Sequence, residues 1–277
     1  MTFKEPEERF IYQKNPIAEV ILQIRFPPIL RIESELPSEF QEQIREHFPE
    51  YHDIKDYKQN FNIGFDSKTG PTTPVIDTTS SQKHTFLSAD RVLQIDITRN
   101  YISFSTIKYE TWEQFIEAFK IPLKSFISIY APSFYTRIGL RYIDIFCRSN
   151  LGETDTDWKK FIKDSFLGIL AIQNEDVRSN ISNFKYVYEI KLTDPADSSN
   201  TGLLHTKASF AYKTNNAELE NLPKEKCFHL DSDFSVSEKI PLEMFEKKIT
   251  FLHSQAKGLL SEVITPYLHN LMEPKPL

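Results

Sequence analysis

Glycine is scarce in this chain. The 277 residues hold 7, where an average usage of roughly 7% would give about 19. Gly64, Gly70, Gly139, Gly152, Gly168, Gly202 and Gly258 cannot be combined into a P-loop, a GxGxxG dinucleotide loop or a GxSxG nucleophile elbow. HExxH is missing too. Cysteine is scarcer still: Cys147 and Cys227 lie far apart and neither belongs to a CxxC pair. That spacing provides no disulfide framework and no zinc cluster, so no metal and no cofactor is expected. Each cysteine reads as a small buried hydrophobe among aromatics, which suits a reducing cytoplasm. No apolar run is long enough to span a bilayer, and MTFKEPEERF lacks the apolar stretch of a signal peptide. The expected location is cytoplasmic, without a membrane partner.

Positive charge is also short. The net charge is −6, with 15 basic against 19 acidic residues in 1–132 and 18 against 20 in 133–277. Neither half is a basic module, so nucleic acid is not an expected partner. Lys83-His84, Arg99-Asn100-Tyr101 and Lys108-Tyr109 could stack bases, but most aromatics fall at core-like spacings. The aromatics themselves are abundant, with 22 Phe, 12 Tyr and 2 Trp. They supply large apolar surfaces for a core.

Residues 1–14 read as a polar N-terminal arm. Ile17–Phe26 then alternates as a strand, with Val20, Leu22, Ile24 and Phe26 on one face. Phe40, Ile44 and Phe48 mark a short helix from Pro37 to Pro49. Residues 60–82 are rich in Thr, Ser, Asp and Pro and read mostly as loop. Strands follow at about 83–88, 91–98 and 101–107, the last two joined by a tight turn in which Asn100 tolerates φ > 0. Thr111 caps a helix to Tyr130, which Pro122 should kink or divide.

The pattern then restarts. Phe134–Cys147 is a long strand, and Thr154 or Asp155 caps a helix carrying Trp158, Phe161, Ile162 and Phe166. Strands at about 184–192, 203–213 and 226–235 precede a helix from Pro241 to Asn270, with Pro266 as a late kink. The expected fold is therefore α+β: two β-α-β-β-β-α halves, 15–132 and 133–277, forming an antiparallel sheet on long helices. The halves read either as an internal duplication pairing its first strands about a pseudo-twofold, or as common elements of one α+β fold. Helix-grip and TATA-binding-protein-like folds offer analogies of shape alone.

Three constellations bear on function. Arg137, Gly139 and Arg141 share a strand face, the arginines about 13 Å apart with the glycine as a notch between them. They could receive an anionic ligand or a partner carboxylate, with Arg25 and Glu19 on the neighbouring first strand. Equally, they could pair with Glu19 and other acids of the sheet. His229, Asp231 and Asp233 alternate on another strand, with His205 nearby, as acid–base groups or as a solvated face. His47, His253 and His269 read as surface or satisfied core histidines. The apolar stripe of the last helix either packs on its own sheet or forms a dimer seam.

Two segments resemble a known family. Asn15-Pro16-Ile17-Ala18-Glu19-Val20, with its strand ending Arg25-Phe26-Pro27, resembles the opening of a sporadically distributed family of prokaryotic proteins without an assigned activity. Arg137-Ile138-Gly139-Leu140-Arg141-Tyr142 is similar to that family's mid-chain strand, and Met272-Glu273-Pro274 to its end. The resemblance implies a bacterial or archaeal protein of an accessory, toxin–antitoxin or defence-type locus, and supplies no catalytic residue. The leading expectation is a non-enzymatic binding protein that recognises a protein partner, a second copy or a small anionic ligand near Arg137 and Arg141. The alternatives are an enzyme of unfamiliar type centred on His205, His229 and Asp231, and a helix-grip-like carrier with an apolar cavity.

Overall fold

Strand β1 (Ile17–Arg25) buries Val20, Leu22 and Ile24 and leaves the intervening residues at least partly exposed. That alternation is the sheet period written into the sequence. In the computed structural model, which describes residues 3–62, 65–66, 70–71, 75–194, 196–213 and 225–277, eight further strands join it. They are β2 (Glu50–Asn62), β3 (Val75–Leu87), β4 (Leu93–Thr98), β5 (Tyr101–Thr106), β6 (Arg137–Phe146), β7 (Lys185–Thr193), β8 (Thr201–Lys213) and β9 (Glu225–Val236). The order across the sheet is β7-β8-β9-β6-β1-β5-β4-β3-β2, and every pairing is antiparallel. The fold is thus mixed α+β around a nine-stranded antiparallel sheet.

The first strands of the two halves meet at the centre. Leu22 faces Leu140, Ile24 faces Ile138 and Val20 faces Tyr142. Beside α1 (Ser38–Ile44), two long helices are present, α2 (Trp112–Tyr130) and α3 (Phe245–Val263). Phe115 and Phe119 of α2 set their rings 4.9 and 5.2 Å from that of Phe104 on β5. Leu22 pairs with both Phe104 and Leu140, so these residues share one face. His253 of α3 reaches Tyr142 on the same face. The other face of β6 and β1 carries Arg137, Arg141, Glu19, Gln23 and Arg25, interspersed with Ile21, Ile143 and Ile145.

The N-terminal arm is tied down. The Phe3 amide donates to Gln255 Oε1 at 3.0 Å, and Phe10–Tyr12 pairs with Pro274–Pro276. Gly258 of α3 makes the first contact possible, since a Cβ there would lie 2.6 Å from that of Phe3.

Several boundaries differ from expectation. Of the segment read mostly as loop at 60–82, residues 60–62 and 75–82 belong to β2 and β3, which pair rung for rung from Glu50 and Leu87 to Asn62 and Val75, while 63–64, 67–69 and 72–74 lie outside the described residues. A backbone ladder holds such a hairpin, and a Thr-rich run lacks the apolar alternation that would announce it. Pro122 is accommodated within one continuous helix. Pro266 opens a separate helix, α4 (Pro266–Leu271), capped by the Thr265 hydroxyl. The helix expected from Thr154 is instead a 3-10 turn at Trp158–Lys160, capped by Asp157, followed by a short helix at Asp164–Leu167. Asn100 turns the hairpin without a positive φ. Tyr135 is fully buried against Phe245, and its backbone bridges Ile240 before the regular strand begins.

The cysteines also require correction. Phe146 of β6 pairs with Phe228 of β9, which sets Cys147 opposite Cys227, and the two form a disulfide with Cα atoms 4.6 Å apart. Sequence distance concealed a cross-strand neighbour within disulfide reach.

Two outcomes check this architecture. Phe104→Ala should lower stability by about 3–5 kcal/mol, the cost of emptying an aromatic core site, seen as a lower urea midpoint with unchanged slope. In denaturant, a thiol-alkylating reagent should label neither Cys147 nor Cys227 until reductant is added.

Candidate functional site

On β6 the residues facing the helices are Ile138, Leu140, Tyr142, Asp144 and Phe146. Four suit a core. Asp144 does not, yet it is only 6% exposed. A carboxylate in that position is costly unless it is hydrogen-bonded or neutralised. Among the described residues, no side chain or backbone group bonds its carboxyl. Burial, with a smaller contribution from the charge of Asp231, pushes it up from 3.8 to about 7.

Asp144 forms part of the wall of a cavity of about 430 Å³. The sheet supplies Tyr142 and Asp144 from β6 and Leu230, Ser232 and Phe234 from β9. Helix α3 supplies His253, Ala256, Leu259 and Leu260, and the entry to α2 supplies Tyr109 and Trp112. The arm closes one side with Phe10 and Tyr12, and exposed Glu8, Arg9 and Glu110 lie where the cavity meets solvent. The volume falls within the range of small-molecule sites, which are typically apolar with a few placed polar groups.

The polar groups of the wall are organised around His253. Its ring stacks on Trp112 with centroids 4.1 Å apart, and Nδ1 shares a 3.0 Å hydrogen bond with the Tyr142 hydroxyl. Burial, together with the charges of Lys257 and Arg9, lowers His253 from 6.5 to about 3, so it is neutral at pH 7. Tyr109 meets Tyr142 edge to face at 5.8 Å, and burial pushes its hydroxyl up to about 12. His269 accepts or donates at Nδ1 to the Tyr12 hydroxyl, 3.0 Å away. This assembly can bind and orient a molecule, because a largely apolar space is bounded by one buried carboxyl and by the hydrogen-bonding groups of His253, Tyr109 and Tyr142.

The residues singled out from sequence lie on the opposite sheet face. Arg137 holds both carboxylate oxygens of Asp233 at 2.7 Å, and Arg141 holds Asp231 through two bonds of 2.6 Å. The Gly139 notch is filled by the Arg137 side chain, whose guanidinium would lie 2.1 Å from a Cβ there. The glycine thus lets Arg137 lie flat along its own strand toward Asp233. Arg25 sits directly across from Arg137 and bonds Gln23 at 2.8 Å. Glu19 pairs in register with Ile143 and adds to the field around Arg141, whose ion pair is with Asp231.

His205 lies 3.3 Å from Glu189, and His229 shares a 3.2 Å bond with Ser209. Burial lowers His229, while Arg141 and its other cationic neighbours, after the opposing cost of burial, hold Asp231 below its ordinary value. These groups do not converge in a cavity. Arg137, Arg141, His205 and His229 are each engaged by a neighbour, so an anion docking at the two arginines would have to displace an aspartate.

One set of potential metal ligands is brought together among the described residues: Cys147, Cys227 and Glu225. The sulfurs are bonded to each other, and the Glu225 carboxylate accepts from the Ser149 amide and hydroxyl at 2.9 and 2.5 Å. A second hollow, of about 570 Å³, lies between α2 and the start of α3, with Tyr135 in its wall.

Tyr142 and Asp144 of this site were not singled out from sequence; the signal that could have found it is an acid at 144 in step with the apolar Ile138 and Leu140. Tyr109, Trp112 and the arm carried none. No family model and no curated protein matches the chain.

Two groups of the cavity titrate with opposite sign. Between pH about 3 and 6.5 the unfolded chain binds the His253 proton and the folded chain does not, so stability rises with pH. Between 3.8 and about 7 the folded chain holds the Asp144 proton and the unfolded chain does not, so stability falls as pH rises. Each has a limiting slope of about 1.4 kcal/mol per pH unit, and the two offset where the windows overlap. Asp144→Asn should therefore gain stability relative to the unaltered chain as pH climbs from 3.8 to about 7, read from urea midpoints at stepped pH. Parallel profiles would show that Asp144 keeps its ordinary pKa.

Proposed function

We propose that this chain is a non-enzymatic small-molecule-binding protein, a carrier whose ligand lies between the sheet and α3. The observation that carries the reading is the 430 Å³ cavity, with the unpartnered Asp144 carboxyl in its wall. This carboxyl lines an accessible cavity rather than a closed core, so a ligand in that space can supply the hydrogen bonds that the fold does not. An enzyme centred on His205, His229 and Asp231 finds less support, because those groups are engaged on an open sheet face.

The same reading takes the two halves as one duplicated unit. Its support is the outward run of strands in reverse chain order from the centre, β5-β4-β3-β2 on one side and β9-β8-β7 on the other. In each half a 19-residue helix follows the strands. A second reading assigns the outer sheet face to a protein partner or a second copy. Val187 and Leu203, 49% and 37% exposed near that edge, favour it over an anionic ligand. Among the described residues no helix is long and apolar enough to cross a membrane. A cytoplasmic location no longer has support from free cysteines, since disulfides are rare in reducing compartments.

The test is native mass spectrometry and thermal shift on the full chain with a library of small amphiphiles. We expect at least one ligand to bind and to be lost in Ala256→Leu, which fills the cavity while keeping the fold, as checked by circular dichroism. Ligands that bind Ala256→Leu as well as the unaltered chain would place binding elsewhere and overturn the reading.

A further inference from the structure

We propose that the cavity selects an organic cation: an amine whose ammonium meets the Asp144 carboxyl and whose apolar body lies among the aromatic rings of the wall. The proposal rests on the cavity reading above and goes further in naming the ligand's chemistry.

The charges of the lining carry it. Each cation there already has an acid. Arg9 holds Glu113 at 2.7 Å. Lys163 donates to the Ser261 carbonyl and lies 3.8 Å from Glu262. Lys257 pairs with Glu5. His253 offers no positive charge, because its surroundings keep it neutral. The acids are less fully matched. Glu110 lies 3.8 Å from Lys108, whereas Glu8 and Asp144 have no ion-pair partner among the described residues. An anion would enter a space without an uncommitted cation and with a buried carboxyl in its wall. A cation would meet the buried carboxyl that the lining leaves without an ion-pair partner, at low local dielectric, where a charge-assisted hydrogen bond is strongest.

The walls agree with this. Phe10, Tyr12, Tyr109, Trp112, Tyr142 and Phe234 all line the cavity. Aromatic faces attract ammonium groups, most strongly where water is excluded. A metal ion is a poor fit, since hard cations take six or more oxygens and Asp144 is the one buried carboxylate in the lining. A neutral alcohol could also donate to Asp144, and the experiment separates it.

Three matched indole probes serve: tryptamine, tryptophol and indole-3-propionate, titrated calorimetrically into the full chain at pH 7. Tryptamine should bind about tenfold or more tightly than the other two, the margin of one charge-assisted bond. Asp144→Asn, shown to be folded by its thermal midpoint, should remove that preference while leaving tryptophol within about threefold. Equal or tighter binding of the alcohol or the carboxylate to the unaltered chain would overturn the proposal without recourse to any variant. So would a tryptamine affinity that survives Asp144→Asn. Probe binding that disappears in Ala256→Leu keeps the cavity reading whichever probe wins. Failure of all three probes to bind overturns the cation proposal, while other ligands from the library can still uphold the cavity.

Discussion

The antiparallel seam between β1 and β6 is the contact on which the remaining structure depends. Val20, Leu22 and Ile24 meet Tyr142, Leu140 and Ile138 across it, and all but Tyr142 are fully buried. Without this seam the chain would hold a five-stranded and a four-stranded sheet, each with an open central edge. An open edge leaves a row of unpaired backbone groups. The seam removes both edges at once and sets the register of every strand outside it. On its far side, the pairing of β6 with β9 sets Cys147 opposite Cys227, a covalent tie between those two strands.

The seam divides the molecule into two chemically distinct faces. On the outer face, charges answer charges diagonally between β6 and β9, with Arg137 on Asp233 and Arg141 on Asp231. Such pairs, part-exposed, contribute modestly to stability, and they leave little unmatched charge to recruit a ligand. On the inner face, the rings of Phe104, Phe115 and Phe119 fill the space under α2. Under α3, Ile249, Leu252 and Val263 are fully buried in the core, but part of the space is left open. There the side chains around Ser232, Ala256 and Asp144 leave a hollow that the N-terminal arm covers. One helix therefore completes a core, and the other roofs a cavity.

That difference explains which features were legible in advance. Alternation in 17–25 and 137–146, the helix over 112–130 and the strands near 185–193, 201–213 and 225–236 were readable because each has a strong apolar period. The hairpin of β2 and β3 was not, because its segments are polar and its ladder is made by the backbone. The arginine face was visible as a pattern, but its partners sit some ninety residues away and only register brings them together. Asp144 drew no notice as a sequence feature, because a lone acid acquires meaning only once its surroundings are known.

The sequence by itself determined the class of fold, the period of each strong element and the lack of any familiar phosphate loop or nucleophile elbow. Those properties are local: side-chain shape, spacing and glycine count decide them. The tertiary structure alone decided which cysteines are bonded, that the Gly139 notch is occupied by Arg137, and that a carboxyl stands unpartnered beside a stacked histidine and tryptophan. These depend on strand register and on the arm folding back over α3, long-range contacts that no window of sequence contains. The scarcity of glycine has a physical counterpart here. Where the chain does use glycine, at Gly139 and Gly258, it is so that a guanidinium or a backbone segment can lie flat against the fold.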